Sequence, residues 1–313
     1  MTMLLARDTA VGAATSAQRR RRVGNWSGWA FLAPVAIYLA LFYAYPLYRN
    51  IDLSLRNYTV RSFVRGDAPF IGLTNYQAVL RDPTFGPALT HTIVFTAMSL
   101  VFQYSIGLAL AVFFNRRFPL SVTLRALFLV PWLLPLIVSA STWSWLLNSE
   151  SGVVNAGLHA LGIAPVDWLT SPTWSLVSVI IANIWIGVPF NLVLLHSGLQ
   201  AIPVSLYEAA ALDGAGGWRR FRHITLPMLR PVTAITLLLG LIYTLKVFDI
   251  IWIMTRGGPS DSSTTFATWS YRLGFGNLLP SFGLGAAVGN LLVVTALAFG
   301  LIYLRTQRRL HSA

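Results

Sequence analysis

Residues 173–197 read TWSLVSVIIANIWIGVPFNLVLLHS, twenty-five residues without one lysine, arginine, aspartate or glutamate. A water-facing helix carries charge on its outer side, whereas crossing about 30 Å of hydrocarbon takes roughly 20 mainly apolar residues in a row. Working outward, five further stretches have the same character: 28–48, 88–114, 121–147, 229–254 and 281–304. Polar or proline residues interrupt 121–147 and 229–254. None of the 313 residues fall into the period-two alternation that an outer-membrane barrel would need. The bulk composition agrees, at 55% hydrophobic and 11% charged, where a soluble domain carries about 25% charged residues. The fold expected is an all-α membrane protein with six transmembrane helices and the lipid bilayer as its main solvent.

The arginines orient the spans. Segments 1–27, 115–125, 200–230 and 305–313 hold 15 of the 23 lysines and arginines, and the alternate segments 49–87, 148–172 and 255–280 hold 7. Basic residues collect on the cytoplasmic side, so both termini are expected there, and the Arg- and Ala-rich, Lys-poor usage suggests a bacterial plasma membrane. The net charge of +13 is then a topology signal and implies no nucleic-acid partner. Arg19–Arg22 before an apolar run resembles a signal peptide, but the run is long and lacks a small-residue cleavage site. The expected division is a disordered basic cytoplasmic tail at 1–27, a transmembrane domain at 28–305 and a short cytoplasmic tail at 306–313. The stretch Gly72–Thr90 reads as an amphipathic cap near the outer membrane surface.

The longest polar interruption on the arginine-rich side is 200–230. Pro203 is suited to opening a helix. Leu206, Ala209, Ala210 and Leu212 make a short apolar face, with Glu208 and Asp213 toward water. Gly214, Gly216 and Gly217 end that helix. A second piece is expected over Trp218–Ile224, with Pro227 and Pro231 turning the chain into the fifth span.

Glu208-Ala209-Ala210, then Gly214, Ile224 and Leu226-Pro227, resemble the cytoplasmic loop of ABC importer permeases, of the carbohydrate-uptake branch typified by maltose and glycerol-3-phosphate transporters. Ile186–Phe190 and Thr255–Pro259 agree with it, and the resemblance runs from about residue 28 to the C-terminus. It implies that 200–230 forms a coupling helix docked on an ATP-binding subunit, with Glu208, Ala209, Ala210, Asp213, Gly214, Ile224, Leu226 and Pro227 as coupling positions. The implied partners are a second permease in a heterodimer, two ATP-binding subunits and an extracytoplasmic solute-binding protein. The implied cargo is a sugar or sugar-like solute moved by alternating access. The five arginines of 49–87 are a candidate docking surface for the binding protein.

This chain should hold no cofactor of its own, with ATP and magnesium on the partner. The only lysine, Lys246, follows Leu245, so no GxxxxGK[ST] phosphate loop exists. The five histidines are scattered, with no pair at metal-ligand spacing, and there is no cysteine, so neither a metal site nor a catalytic group is expected. Gly285 and Gly289 form a GxxxG pair suited to close helix packing.

Within the spans, Lys246 and Asp249 are three residues apart and would share one face of a continuous helix. They are read either as a solute-binding polar patch or as a structural pair. Asn183, Trp185, Phe190 and Asn191 in the fourth span, and Tyr243, Thr244 and Trp252 in the fifth, supply the aromatic faces and hydrogen-bonding groups that sugars require. Gln103 and Tyr104 in the second span have the same character. Gly187 and Pro189 are expected to loosen the fourth helix near the midplane. The family resemblance adds Gly187, Phe190, Gly240, Tyr243, Thr244 and Val247 as solute-lining positions. The alternative class is a secondary transporter or channel driven by an ion gradient, which would need membrane carboxylates beyond Asp249.

Overall fold

The computed structural model describes residues 26–116 and 118–311. The basic tail expected over 1–27 therefore lies almost wholly outside the described residues. The described residues fall into two compact units that divide between Arg49 and Asn50. At the N-terminal side α1 (Trp26–Leu39) passes through a π turn at Ala40–Ala44 into α2 (Tyr45–Ser54), in which the division between the units falls, and Phe31–Ser54 is long and apolar enough to cross a membrane.

In the second unit every regular element among the described residues is helical. Short helices α3 (Val60–Arg65) and α4 (Thr74–Arg81) precede the long α5 (Phe85–Phe114). The expected cap at 72–90 is thus α4 plus the first turns of α5. Asn75 fastens it, its amide donating to the Ser54 and Arg56 carbonyls at 2.8 and 2.9 Å.

The third span is broken. It consists of α6 (Ser121–Leu127), α7 (Val130–Leu133) and α8 (Leu136–Leu146), with a 96° bend between Leu133 and Leu136. The cause is local. Pro135 pushes the residue before it out of the helical region, and Leu134 is extended at φ −72°, ψ 142°. After α9 (Val153–Ala160), α10 (Ser175–Gln200) runs unbroken through Pro189. Gly187 and Pro189 do not interrupt it, and it packs against α5 along this stretch.

The helices α11 (Val204–Leu212) and α12 (Gly217–Arg220) follow, then a π turn at Phe221–Thr225 and α13 (Leu226–Leu245). Residues 217–245 form one continuous helix, so Pro227 and Pro231 do not turn the chain as expected. Pro227 directly follows the π turn, within this continuous helix. The fifth span instead breaks further on, at Lys246–Phe248, before α14 (Asp249–Met254). Last come α15 (Phe266–Tyr271) and α16 (Phe282–His311). Five helices plus the bent pair satisfy the length and apolarity of six spans.

Small residues set the helix spacing. A Cβ on Gly107 would lie 2.5 Å from Asn191 Cβ, and one on Gly187 2.3 Å from Gln103 Cδ. These contacts advance together along both helices, so α5 and α10 run parallel. Tyr104 meets Thr233 at 3.0 Å and Gly240 faces Leu100, so α13 runs antiparallel to α5. The GxxxG expectation also holds, since a Cβ on Gly285 would sit 2.9 Å from the Ser270 carbonyl. A buried cluster of Ala111, Phe114, Leu195, Leu199 and Leu229 gathers the ends of α5, α10 and the start of α13. The Tyr303 hydroxyl donates to the Ala234 carbonyl at 2.7 Å, bringing the C-terminal half of α16 to that end. At the other end His91 meets the Thr264 carbonyl and Ser175 meets Ser262. The arginine-rich and arginine-poor loops of this unit are therefore segregated to opposite ends.

Candidate functional site

Two helix breaks and two continuous helices line a cavity of about 570 Å³. Its apolar side is aromatic. The Trp132 ring lies 6.0 Å from that of Phe190, and Phe190 meets Tyr243 edge-on at 5.9 Å. Trp132 comes from α7, held there by the break at Leu134. The Lys246 ammonium sits 4.9 Å from the Tyr243 ring centroid, a cation–π distance.

The polar side is built over Gly187. The absence of a side chain lets Gln103 cross from α5 and donate from Nε2 to the Asn183 carbonyl at 2.9 Å. Asn183 is 5% exposed, and its Nδ2 has no partner among the described residues. Thr244 is buried beside it on the lining, with Gly240 and Val247. A Cβ on Gly240 would lie 2.8 Å from Leu100 Cδ2, so its small size serves packing on α5 as well.

Lys246 and Asp249 both line the cavity, but not as expected. They do not share a face of one helix, and no ion pair joins them. Lys246 caps the C-terminal end of α13, whereas Asp249 opens α14. By position in the chain, the basic residue thus follows a carbonyl end and the acidic one begins at an N–H end, the arrangement that helix dipoles favour. No proline forces this break. Beyond it Phe248 stacks on Trp252 at 5.6 Å and packs on Tyr271 at 4.6 Å, which anchors α14 separately from α13.

Of the solute-lining candidates, Gly187, Phe190, Gly240, Tyr243, Thr244, Lys246, Val247 and Asp249 come together here. Asn191 does not. It is buried against Gly107, and its Nδ2 donates to the Gly187 carbonyl at 2.9 Å. Trp185 packs on Trp143 and Trp252 on Phe248, both off the cavity. Trp132, Leu134 and Leu136 were not singled out by sequence reasoning. Pro131 and Pro135 around them were the available signal.

At the arginine-rich end, α11 closes with Gly214 at φ +73°. The Ala215 N–H donates to the Ala210 carbonyl at 2.8 Å and the Gly214 N–H to that of Ala211 at 3.1 Å, a Schellman ending. The Tyr207 hydroxyl meets Thr225 Oγ1 at 2.9 Å and ties α11 to the π turn. The matched positions thus divide. Glu208, Ala209, Asp213 and Gly214 are exposed, Ala210, Leu226 and Pro227 half-buried, and Ile224 packs onto the cluster around Leu229. Leu206 and Leu212 are exposed too, at 40% and 90%, so these leucines of α11 are not covered by the described residues.

Residues 103–312 match the family described as binding-protein-dependent transport system inner membrane component. The chain belongs to this family. It is 37% identical over 284 residues to the trehalose/maltose transport system permease protein MalF of Thermococcus litoralis, covering 90% of this chain and 93% of that protein. Against the lactose transport system permease protein LacF of Rhizobium radiobacter it is 35% identical over 306 residues, covering 95% and 100%. A chain of a bacterial ABC transporter involved in the import of the acidic polysaccharide alginate superposes with a TM-score of 0.77 at 26% identity, covering 91% and 96%. The protein is accordingly a multi-pass membrane permease subunit of an ABC importer, and the ion-gradient alternative is set aside.

Proposed function

We propose that this permease moves a sugar into the cell through the cavity between α5, α7, α10 and the broken fifth span. The observation that carries the reading is the cavity's composition: three aromatic rings on one side and amide, hydroxyl and charged groups on the other. Pyranoses need this pairing, because their C–H faces stack on rings while their hydroxyls donate and accept hydrogen bonds. The names of the relatives, which include trehalose, maltose and lactose systems, support it.

In the same reading both termini lie in the cytoplasm, supported by the collection of Arg116, Arg125, Arg219, Arg220, Arg222 and Arg230 at one end of the bundle. The segment 200–230 acts as the coupling helix. Its exposed Leu206, Glu208, Ala209 and Leu212 meet an ATP-binding subunit, while Tyr207 and Ile224 hold the segment to the bundle. A second permease, two ATP-binding subunits and an extracytoplasmic binding protein complete the machine, the binding protein meeting the basic 49–87 loop. ATP binding on the partner stabilises one arrangement of the bundles through differential contacts at α11, which shifts access to the cavity from one side to the other. ATP and magnesium stay on the partner.

The test is a pull-down of tagged chain from mildly solubilised native membranes, wild type against Glu208→Lys. The wild type should bring down an ATP-hydrolysing subunit and the variant should lose most of it. An ATPase retained equally by both would remove α11 from the dock, and none with either would sink the importer assembly.

A further inference from the structure

The cavity is lined by one basic and one acidic side chain, Lys246 and Asp249. They do not neutralise each other in an ion pair, because the break at 246–248 assigns each to its own helix end. We propose that this pair is a charge filter that admits neutral sugars and rejects sugars carrying an acidic group. The inference rests on reading the cavity as the solute path.

A neutral sugar uses both groups at once. Its hydroxyls donate to the Asp249 carboxylate and accept from the Lys246 ammonium. An acidic sugar meets Lys246 favourably but brings its charge close to Asp249, beside the apolar walls of Trp132, Phe190 and Tyr243 that lower the local dielectric. Among the described residues no second basic side chain lines the cavity to offset it.

The choice of lysine points the same way. Of the 23 basic residues, Lys246 is the only lysine. A guanidinium presents a planar fork that matches carboxylates and phosphates in two-point contact, whereas an ammonium is a compact charge without that preference. At the one basic position facing the cavity, the fork is absent.

The single lysine also supplies the experiment. The complete transporter complex, purified in nanodiscs, is treated with an N-hydroxysuccinimide ester, and modification of Lys246 is followed by peptide mass spectrometry. Trehalose, maltose, lactose and diacetylchitobiose are compared with uronate disaccharides of the same size. At ten times its half-protecting concentration, at least one neutral sugar should slow labelling about tenfold, while no uronate does so. In Asp249→Asn the uronates should protect nearly as well as the neutral sugar, and Asp249→Glu should restore discrimination.

Uronates protecting the wild type as well as neutral sugars would overturn the filter. So would unchanged discrimination in Asp249→Asn, or no protection by any neutral sugar. The wild-type comparison decides even if the Asp249→Asn complex does not assemble. Co-purification of the ATPase separates the two claims: an intact complex with failed discrimination removes the filter alone, and absence of the ATPase removes the importer reading.

Discussion

At position 187 the missing Cβ lets Gln103 reach across from α5, and this contact shapes the polar wall of the cavity. Gly187→Ala would push the flexible end of Gln103 aside and cost about 1 kcal/mol, the worth of one hydrogen bond. The expected result is a folded permease with altered solute handling, read as changed uptake kinetics with an unaltered thermal midpoint to within a few degrees. Gly107→Ala is different in kind. Its new Cβ meets Asn191 Cβ at 2.5 Å and backbone atoms of Asn191 and Leu192 at 3.2 Å, none of which can rotate away. Separation of α5 from α10 should cost about 1–3 kcal/mol, as overpacking does, and a thermal shift in detergent would show it. Equal midpoints for the two variants would contradict this contrast. The chemical types at 187, 190, 243 and 244 were legible in the sequence. The role of Asn191 was not, because a polar residue one turn from a cavity and one facing a neighbouring helix look the same along a single chain.

Among the elements, α11 depends on its ending. Gly214 has open space around it, so its requirement is the left-handed conformation and not close approach. Gly214→Ala should cost about 1–2 kcal/mol, loosening the turn between α11 and α12 while leaving the bundle folded. The measurement is hydrogen exchange at 209–217, which should quicken, together with weaker ATPase co-purification. Unchanged exchange would remove the Schellman turn as the organising feature. The loop between α14 and α15 carries a different control. Burial pushes the Asp261 carboxyl upward, but hydrogen bonds from Arg272 and Thr264, with the Arg272 charge, outweigh it and hold the group below its ordinary 3.8. A depressed folded value contributes stability above pH 3.8 that is lost as the pH falls through the lower folded value. Proteolysis or exchange of residues 255–265 should therefore stay slow from pH 7 to about pH 4 and accelerate below it. Arg272→Ala should bring that acceleration to higher pH, and an unmoved profile would show that the pair does not hold the loop.

For the molecule as a whole, segregation of the loops to two ends predicts a sidedness that labelling can read. Cysteines placed singly at Ala215 and at Ser260, in a chain that has none of its own, should react with an impermeant thiol reagent from opposite sides of a sealed membrane. Reaction of both from one side would contradict the bundle's direction. Most of this architecture was determined by the sequence alone. Hydrocarbon thickness demands long uncharged runs, arginine crosses lipid poorly, and both constraints act on composition along the chain. The break at Leu134 was also in principle readable, since proline restricts the residue before it whatever surrounds the helix. Only the tertiary structure decided the rest. The fourth helix continues through Gly187 and Pro189 while α5 packs along it, with Gln103 over Gly187 and Gly107 against Asn191. The fifth parted at Lys246–Phe248, where no breaker is present, because Phe248 and Trp252 are held by Tyr271 from a distant turn of the chain. That parting separates Lys246 from Asp249 and opens the cavity between them. Local propensity cannot specify it, because the contacts that stabilise the break belong to residues far apart in sequence.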